Sequence, residues 1–305
     1  GGAVTINGAN FNGVNSVKFN SDVAATFSVN ASGTQITATV PSGALTGVIT
    51  IGKPGCNDVQ TALFTVAPCA TVTGISPTSG APGSSVVING TNLIGTSGVR
   101  FANNQSATFT ILSNTQIAAL VPANAANGPI TLSKSGCADV QTAAFNVTAG
   151  TPSELSLDDG SFEQRVGLTN GGDYYVVNRI TPDSYPATLA AISIFLTDLK
   201  AGDPIALLTA ANPSGNTSIS GTAFNRYNVT VQTPEQFNLY AVPALTITQG
   251  DFLVGAVLTH TAGKFPAAID TTPPSKMRSY RAVDGVNFTL LDNVNPAFAG
   301  NLGIR

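Results

Sequence analysis

The chain has 305 residues, of which 10% are charged and 43% hydrophobic, with 31 Gly and 18 Pro. That composition fits a β-rich, turn-rich chain of two or three domains and excludes a helical bundle or a disordered polymer. A net charge of −3 without a cluster of Lys and Arg excludes a nucleic-acid partner, and no apolar run has the roughly 18 residues of a membrane span.

In chain order, the opening GGAVTINGANF (Gly1–Phe11) returns as the second half of Ile75–Leu93, ISPTSGAPGSSVVINGTNL. Val17–Lys18–Phe19 matches Val99–Arg100–Phe101, Thr34–Gln35–Ile36 matches Thr115–Gln116–Ile117, and Val40–Pro41 matches Val121–Pro122. Gly55–Cys56 matches Gly136–Cys137, and Asp58–Ala62 matches Asp139–Ala143. The chain therefore starts with two copies of one unit, offset by about 82 and then about 81 residues. The first copy has no equivalent of Cys69–Pro82, CATVTGISPTSGAP. We expect three domains: residues 1–67, residues 69–149 and, after the Pro/Gly linker at Thr148–Ser153, residues 154–305. Every Tyr, the single His and the single Met lie beyond residue 150.

Short β-prone runs alternate with turn residues in each unit. In the second copy they predict strands at Thr71–Ile75, Ser85–Asn89, Gly98–Ala102, Ala107–Leu112, Gln116–Leu120, Gly128–Ser133 and Ala143–Thr148. The ordered string Ile75–Ser76–Pro77, Gly80, Pro82–Gly83, Val86–Ile88, Gly90–Thr91–Asn92–Leu93, Val99–Arg100–Phe101, Ile117 and Val121–Pro122 resembles the IPT/TIG family of immunoglobulin-like domains. The resemblance spans residues 1–149 as two units, the first lacking its opening strand. It implies a β-sandwich of the kind found in bacterial surface proteins, secreted glycan enzymes and receptor ectodomains, and fixes no activity. In such a sandwich the first strand starts at the end where the last two strands are joined, so a Cys69–Cys137 disulfide is expected. Cys56–Cys69 is the competing pair, disfavoured by a strand expected at Thr61–Ala67. Cys56 would then find its partner in a cysteine upstream of Gly1. The alternative is three free thiols. A disulfide implies an extracellular or periplasmic setting.

Beyond Glu154, runs at Tyr174–Asn178, Leu189–Leu196, Ile205–Ala210, Tyr227–Gln232, Phe237–Val242, Phe252–Thr259, Met277–Arg281, Phe288–Leu291 and Asn301–Ile304 predict a larger antiparallel, jelly-roll-like sandwich. Leu189–Leu196 also suits one or two helical turns. The fold class is thus all-β. Three features bear on chemistry. Asp158, Asp159 and Glu163 offer hard oxygen ligands for calcium, without the spacing of an EF-hand; an Asp–Gly turn capped by its own side chains is the commoner explanation. Tyr174, Tyr175 and Tyr185 are candidates for stacking on the apolar face of a sugar. His260 has no second His or Cys beside it and no evident nucleophile, so no catalytic residue is assigned and the chain is not read as an enzyme.

These readings favour an extracellular or cell-surface structural protein of bacterial type, a filament subunit or surface spacer, whose partners are its own copies or other surface proteins. The edge Gly1, Gly2, Ala3, Val4, Thr5 and Ile6 is where a neighbour's strand would complete the first unit. The alternatives are an adhesin or carbohydrate-binding segment of a larger secreted protein, with glycans as partners, and the accessory region of a secreted hydrolase. Apart from calcium, no cofactor is expected.

Overall fold

The computed structural model describes residues 2–20, 22–41 and 43–305; Gly1 of the expected assembly edge lies outside the described residues. The first unit contains β1 (Ala3–Asn7), β2 (Ser16–Asn20), β3 (Val23–Ala24), β4 (Phe27–Val29), β5 (Gln35–Thr39), β6 (Leu45–Gly52) and β7 (Val59–Gln60). They form two sheets, β1-β5-β4 and β3-β2-β6-β7. The second unit contains β8 (Thr71–Ser76), β9 (Ser79–Gly80), β10 (Ser85–Thr91), β11 (Thr96–Ala102) and β12 (Gln105–Ser106). It continues with β13 (Phe109–Ser113), β14 (Gln116–Leu120), β15 (Ala126–Lys134) and β16 (Val140–Val147). Its sheets, β13-β14-β10-β8 and β12-β11-β15-β16-β9, repeat the first pair with β8 and β9 added.

Alternation along each strand puts every second side chain inside. In the second unit Val86, Ile88, Val99, Phe101, Ile117, Ile130, Leu132 and Phe145 close one core. Phe101 meets Phe145 edge-on at 5.5 Å between centroids. Each such side chain contributes about 1.5–3 kcal/mol by leaving water. Cys69, just before β8, is bonded to Cys137 in the β15–β16 turn, with Cα atoms 5.6 Å apart. Cys56 is free and exposed.

The strand expected at Thr61–Ala67 does not form as such. Within that stretch there is a single bridge, between Gly47 and Phe64, and the short β7 lies just before it. The reason lies in the pairing: β16 holds β9 as a parallel neighbour through Asn146 and Val147, and the first unit has no strand in the β9 position among the described residues.

The C-terminal part contains β17 (Gln164–Val166), β18 (Gly171–Ile180), β19 (Ala187–Phe195), β20 (Pro204–Asn212), β21 (Asn225–Thr230) and β22 (Phe237–Ile247). It ends with β23 (Asp251–Thr261), β24 (Ala267–Asp270), β25 (Ser279–Ala282), β26 (Thr289–Leu290) and β27 (Asn301–Leu302). One layer is a six-stranded sheet, β21-β20-β23-β18-β25-β26. The other joins the β19-β22 pair to β17-β24-β27 through bridges Ile194–Ile304 and Leu196–Ala267. The main core lies between these layers. Leu189–Leu196 is strand, not helix, because β19 pairs with β22 from Ala187 to Phe195. Met277 has φ 53 and lies outside β25, which starts at Ser279 rather than at the expected Met277.

Removing the cystine tests the second unit. Cys69→Ser/Cys137→Ser should lower its stability by about 4 kcal/mol on the chain-entropy model for a loop of this length. A calorimetric scan should show that loss in one transition, and reductant should reproduce it in the parent chain.

Candidate functional site

The six-stranded sheet ends in loops at the C-terminus of β18, the C-terminus of β20, the N-terminus of β23 and the N-terminus of β25. The register brings these four points to one edge: Ile180 pairs with Phe252, Asn212 with Asp251, and Asn178 with Ser279. Arg179, the one cation in the run YYVVNRI, lies in that otherwise apolar strand and needs an anion. Asp251 supplies it. The Arg179 Nη1 to Asp251 Oδ2 distance is 2.7 Å, and the two side chains are 9% and 4% exposed.

Three further groups close around this pair. The Thr181 hydroxyl donates to Asp251 Oδ1. Arg278 Nη1 approaches the same oxygen at 3.5 Å and donates to Thr181 Oγ1. Asn212 Nδ2 reaches Asp251 Oδ2 at 3.5 Å. Burial alone would raise the Asp251 carboxyl, yet hydrogen bonds from Thr181 and Arg179, with the charges of Arg179 and Arg278, hold it below the usual carboxylate range. Burial acts against the Arg179 charge in the same way and is outweighed by Asp251, which raises that guanidinium.

Tyr185 stands at this end and is 42% exposed. Its phenol donates to the Gly250 carbonyl, the residue before Asp251, so this exposed side chain is tethered beside the network. Met277, 56% exposed, precedes Arg278 in the loop that enters β25.

The other two tyrosines are elsewhere. Tyr174 is 3% exposed inside the main core, where burial pushes its phenol up to about 12, against a small opposing effect of the Arg281 charge. Tyr175 points to the opposite face and packs on a second cluster with Tyr280 and Phe288. Neighbours in sequence on a strand cannot share a face, so the expected three-tyrosine platform reduces to Tyr185.

The calcium reading is also corrected. Arg305 binds Asp158 through Nη2 at 2.5 Å, and that carboxylate side chain is fully buried. Asp159 and Glu163 both accept from the Ser161 hydroxyl, at 2.7 and 2.8 Å, and Glu163 also accepts from the Thr271 amide. The Ser161 hydrogen bonds, ahead of the weak opposing effect of burial, hold both exposed carboxyls below their usual range. No group of three or more metal-ligating side chains converges among the described residues. A guanidinium and a hydroxyl do the work the cation would have done.

His260 is buried, and its Nε2 accepts from the Leu168 amide at 3.1 Å while Nδ1 faces the Thr261 carbonyl at 3.0 Å. With both ring nitrogens engaged, the imidazole pins the turn before β18 to the end of β23. Among the described residues, no helix is long and apolar enough to cross a membrane.

Residues 70–149 match the model of the IPT/TIG domain. The second unit is thus an immunoglobulin-like IPT/TIG module. No curated protein matches the chain. Among solved structures, the chain is similar to "SGBP-B from a complex xyloglucan utilization locus" of Bacteroides uniformis, at 16% identity and TM-score 0.27, covering 94% of each chain. It is similar to the surface glycan-binding protein PbSGBP-B of Prevotella bryantii at 12% identity and TM-score 0.25, covering 94% of this chain and 92% of that one. A third is the SGBP-B of the mixed-linkage glucan utilization locus of Bacteroides ovatus, described in complex with a mixed-linkage heptasaccharide. There the identity is 15% and the TM-score 0.21, with 85% and 72% covered.

Removing Asp251 should strand Arg179 in a buried site. Asp251→Ala is expected to cost about 3–5 kcal/mol, measured as the shift of the C-terminal unfolding transition in urea. The carboxyl is held low in the folded chain, so its stabilising effect is present above the ordinary carboxylate value of about 4 and fades as pH falls through the depressed value. Unfolding curves collected from pH 6 down to pH 2 should show that acid-sensitive contribution in the parent chain, and Asp251→Ala should lack it.

Proposed function

We propose that this chain is a surface-exposed, extracellular segment that binds polysaccharide at the loop end of its C-terminal sandwich, the immunoglobulin-like units serving to hold that end away from the attachment point. The observation that carries the reading is Tyr185: an open aromatic face, fixed by its own phenol, beside a network rich in donors. Sugar rings present apolar C–H faces and hydroxyl rims, and such a pairing of flat ring and polar edge meets both. The Cys69–Cys137 bond suits an oxidising compartment. Nothing assembled at this end resembles a nucleophile with its base, and Asp251 is engaged by arginine, so binding rather than hydrolysis is the chemistry proposed.

Soluble xyloglucan and mixed-linkage glucan are the first probes, being the polysaccharides named for two of the solved structures above. Calorimetry should detect binding, and Tyr185→Ala should weaken it about five- to ten-fold, the loss of one stacking face of about 1 kcal/mol. The thermal midpoint should barely move, since the ring is exposed. Retained affinity in that variant would sink the assignment of the site.

A further inference from the structure

The two immunoglobulin-like units carry equivalent sheets with different outer faces. In the first unit the side of β1-β5-β4 turned away from the core holds Thr5, Thr37 and Ser28, adjacent in the register and all exposed. The repeat puts Val87, Ala118 and Thr110 in those places, again adjacent. Here Ala118 is 0% and Thr110 5% exposed, and Val87 is half-buried. Leu120 is half-buried where the first unit has an exposed Thr39. Val87, Ala118 and Leu120 do not belong to the core of their own sandwich, so their cover comes from outside it. The hydroxyls of Ser85 and Thr110 on this face are enclosed without a hydrogen-bond partner, which a face open to water would not impose.

The cover is the C-terminal sandwich. β22 lies across β10, β13 and β14, and β21 lies against β13. β22 directs Tyr240 and Val242 into the main core, so Leu239, Ala241 and Pro243 face out of that sandwich. Ala241 is nevertheless 0% exposed, and Leu239, at 39%, marks the margin of the contact. Each side thus offers an outward alanine to which solvent has no access. Small side chains let two sheets approach closely, and the threonines of the first unit would hold them apart.

The connecting chain is fastened along its length. The Thr148 amide donates to the Gly80 carbonyl at 3.0 Å. A Cβ on Gly150 would stand 2.6 Å from that of Ala81, and one on Gly83 would meet Pro152 at 2.5 Å, so the linker lies directly on the second unit. Leu155 and Leu157 then pack on the main core of the C-terminal sandwich, and Arg305 holds Asp158. Domains joined by a free linker and a small polar contact move relative to one another; neither condition holds here.

We propose that the outer face of β13-β14-β10-β8 is a docking surface for the chain's own C-terminal sandwich, and that the second unit and that sandwich form one rigid body. The boundary at Thr148–Ser153 is then a joint in topology and not in mechanics. The loop end that carries Tyr185 keeps a fixed orientation to the second unit, which acts as its buttress rather than as a loose spacer. The inference goes beyond the polysaccharide reading and stands without it, since it needs no ligand.

The test uses the full chain with Cys56→Ser, spin-labelled at the exposed positions Asn104→Cys and Lys264→Cys, one in each sandwich. Pulsed electron spin resonance should give a single narrow distance distribution. Ala118→Glu and Ala241→Glu drive a carboxylate into the contact from opposite sides; each should broaden the distribution, and the pair should broaden it no further. The second unit itself tolerates a polar residue at position 118, because the first unit carries Thr37 there. Tyrosine fluorescence reports the C-terminal sandwich alone, since all six Tyr lie beyond residue 150 and the chain has no Trp. Its urea midpoint should fall by about 1 M in Ala118→Glu, a substitution in the other sandwich. Thr37→Glu, at the exposed equivalent in the first unit, should change neither reading. A broad distribution in the parent, a narrow one in both Glu variants, or a tyrosine midpoint unmoved by Ala118→Glu would each overturn the proposal.

Discussion

The C-terminal sandwich depends on a sheet that is apolar on both faces. In β18, β20 and β23, Val176, Leu207 and Val254 face the main core, while Val177, Leu208 and Leu253 face the opposite way. Such a sheet cannot leave either side to water. The second layer, with β19 and β22, covers one face. The other is covered by connecting segments that bring Ile219, Phe224 and Phe288 onto it, tied down where the Ser220 hydroxyl and Phe288 bond each other's backbone and hydroxyl and where Tyr280 donates to the Thr217 carbonyl. Both broad faces are thereby withdrawn from binding. What is left is the edges and the ends of the strands.

That constraint explains where polar chemistry collects. Within the sheet the strands hold few polar groups, and Asn178 is used structurally: it donates to the carbonyls of Leu302 and Ile304 and accepts from Ser279, fastening the last strand. At the end of the sheet, Arg179 and Asp251 are stranded between core and solvent, and Thr181, Arg278 and Asn212 gather on them. A buried pair of this kind is weak evidence for stability, since desolvation opposes it, but it fixes geometry. The loops that carry Tyr185 and Met277 therefore start from rigid points.

The two immunoglobulin-like units show the same physics from another side. An unpaired strand edge leaves backbone donors and acceptors to water, and a sandwich needs its inner faces covered. The second unit meets these needs with β8, β9 and the cystine. The first has the same strand order without them, and the effect is confined to what they would touch: Val4, Phe11, Val40 and Phe64 lose cover, and the last strand shrinks to β7. The remainder of its core is as closed as its twin's. Sequence repetition thus serves as an internal control, since nearly the same side chains appear with and without the missing strand.

Much of this was legible in the amino-acid order. Period-two alternation and turn residues located all seven main strands of the second unit and all nine of those expected beyond Glu154, because these signals are local. The short β17 and β24 were missed, since three- and four-residue strands carry too little pattern. The polar cluster at the end of the sandwich was not visible: Asp251 lies 72 residues from Arg179, and only the lone cation of the run YYVVNRI hinted that a partner existed. The tyrosines show the limit best. Tyr174, Tyr175 and Tyr185 were equivalent as letters, and burial of both sheet faces decided that Tyr174 is enclosed, Tyr175 half-buried and Tyr185 exposed. In the same way, three acidic residues in a turn suggested a cation, and the fold placed the guanidinium of Arg305 there instead. The sequence by itself determined the strands, their class and the repeat, through local periodicity; the tertiary structure decided which side chains remain available, because availability depends on what packs against them from far along the chain.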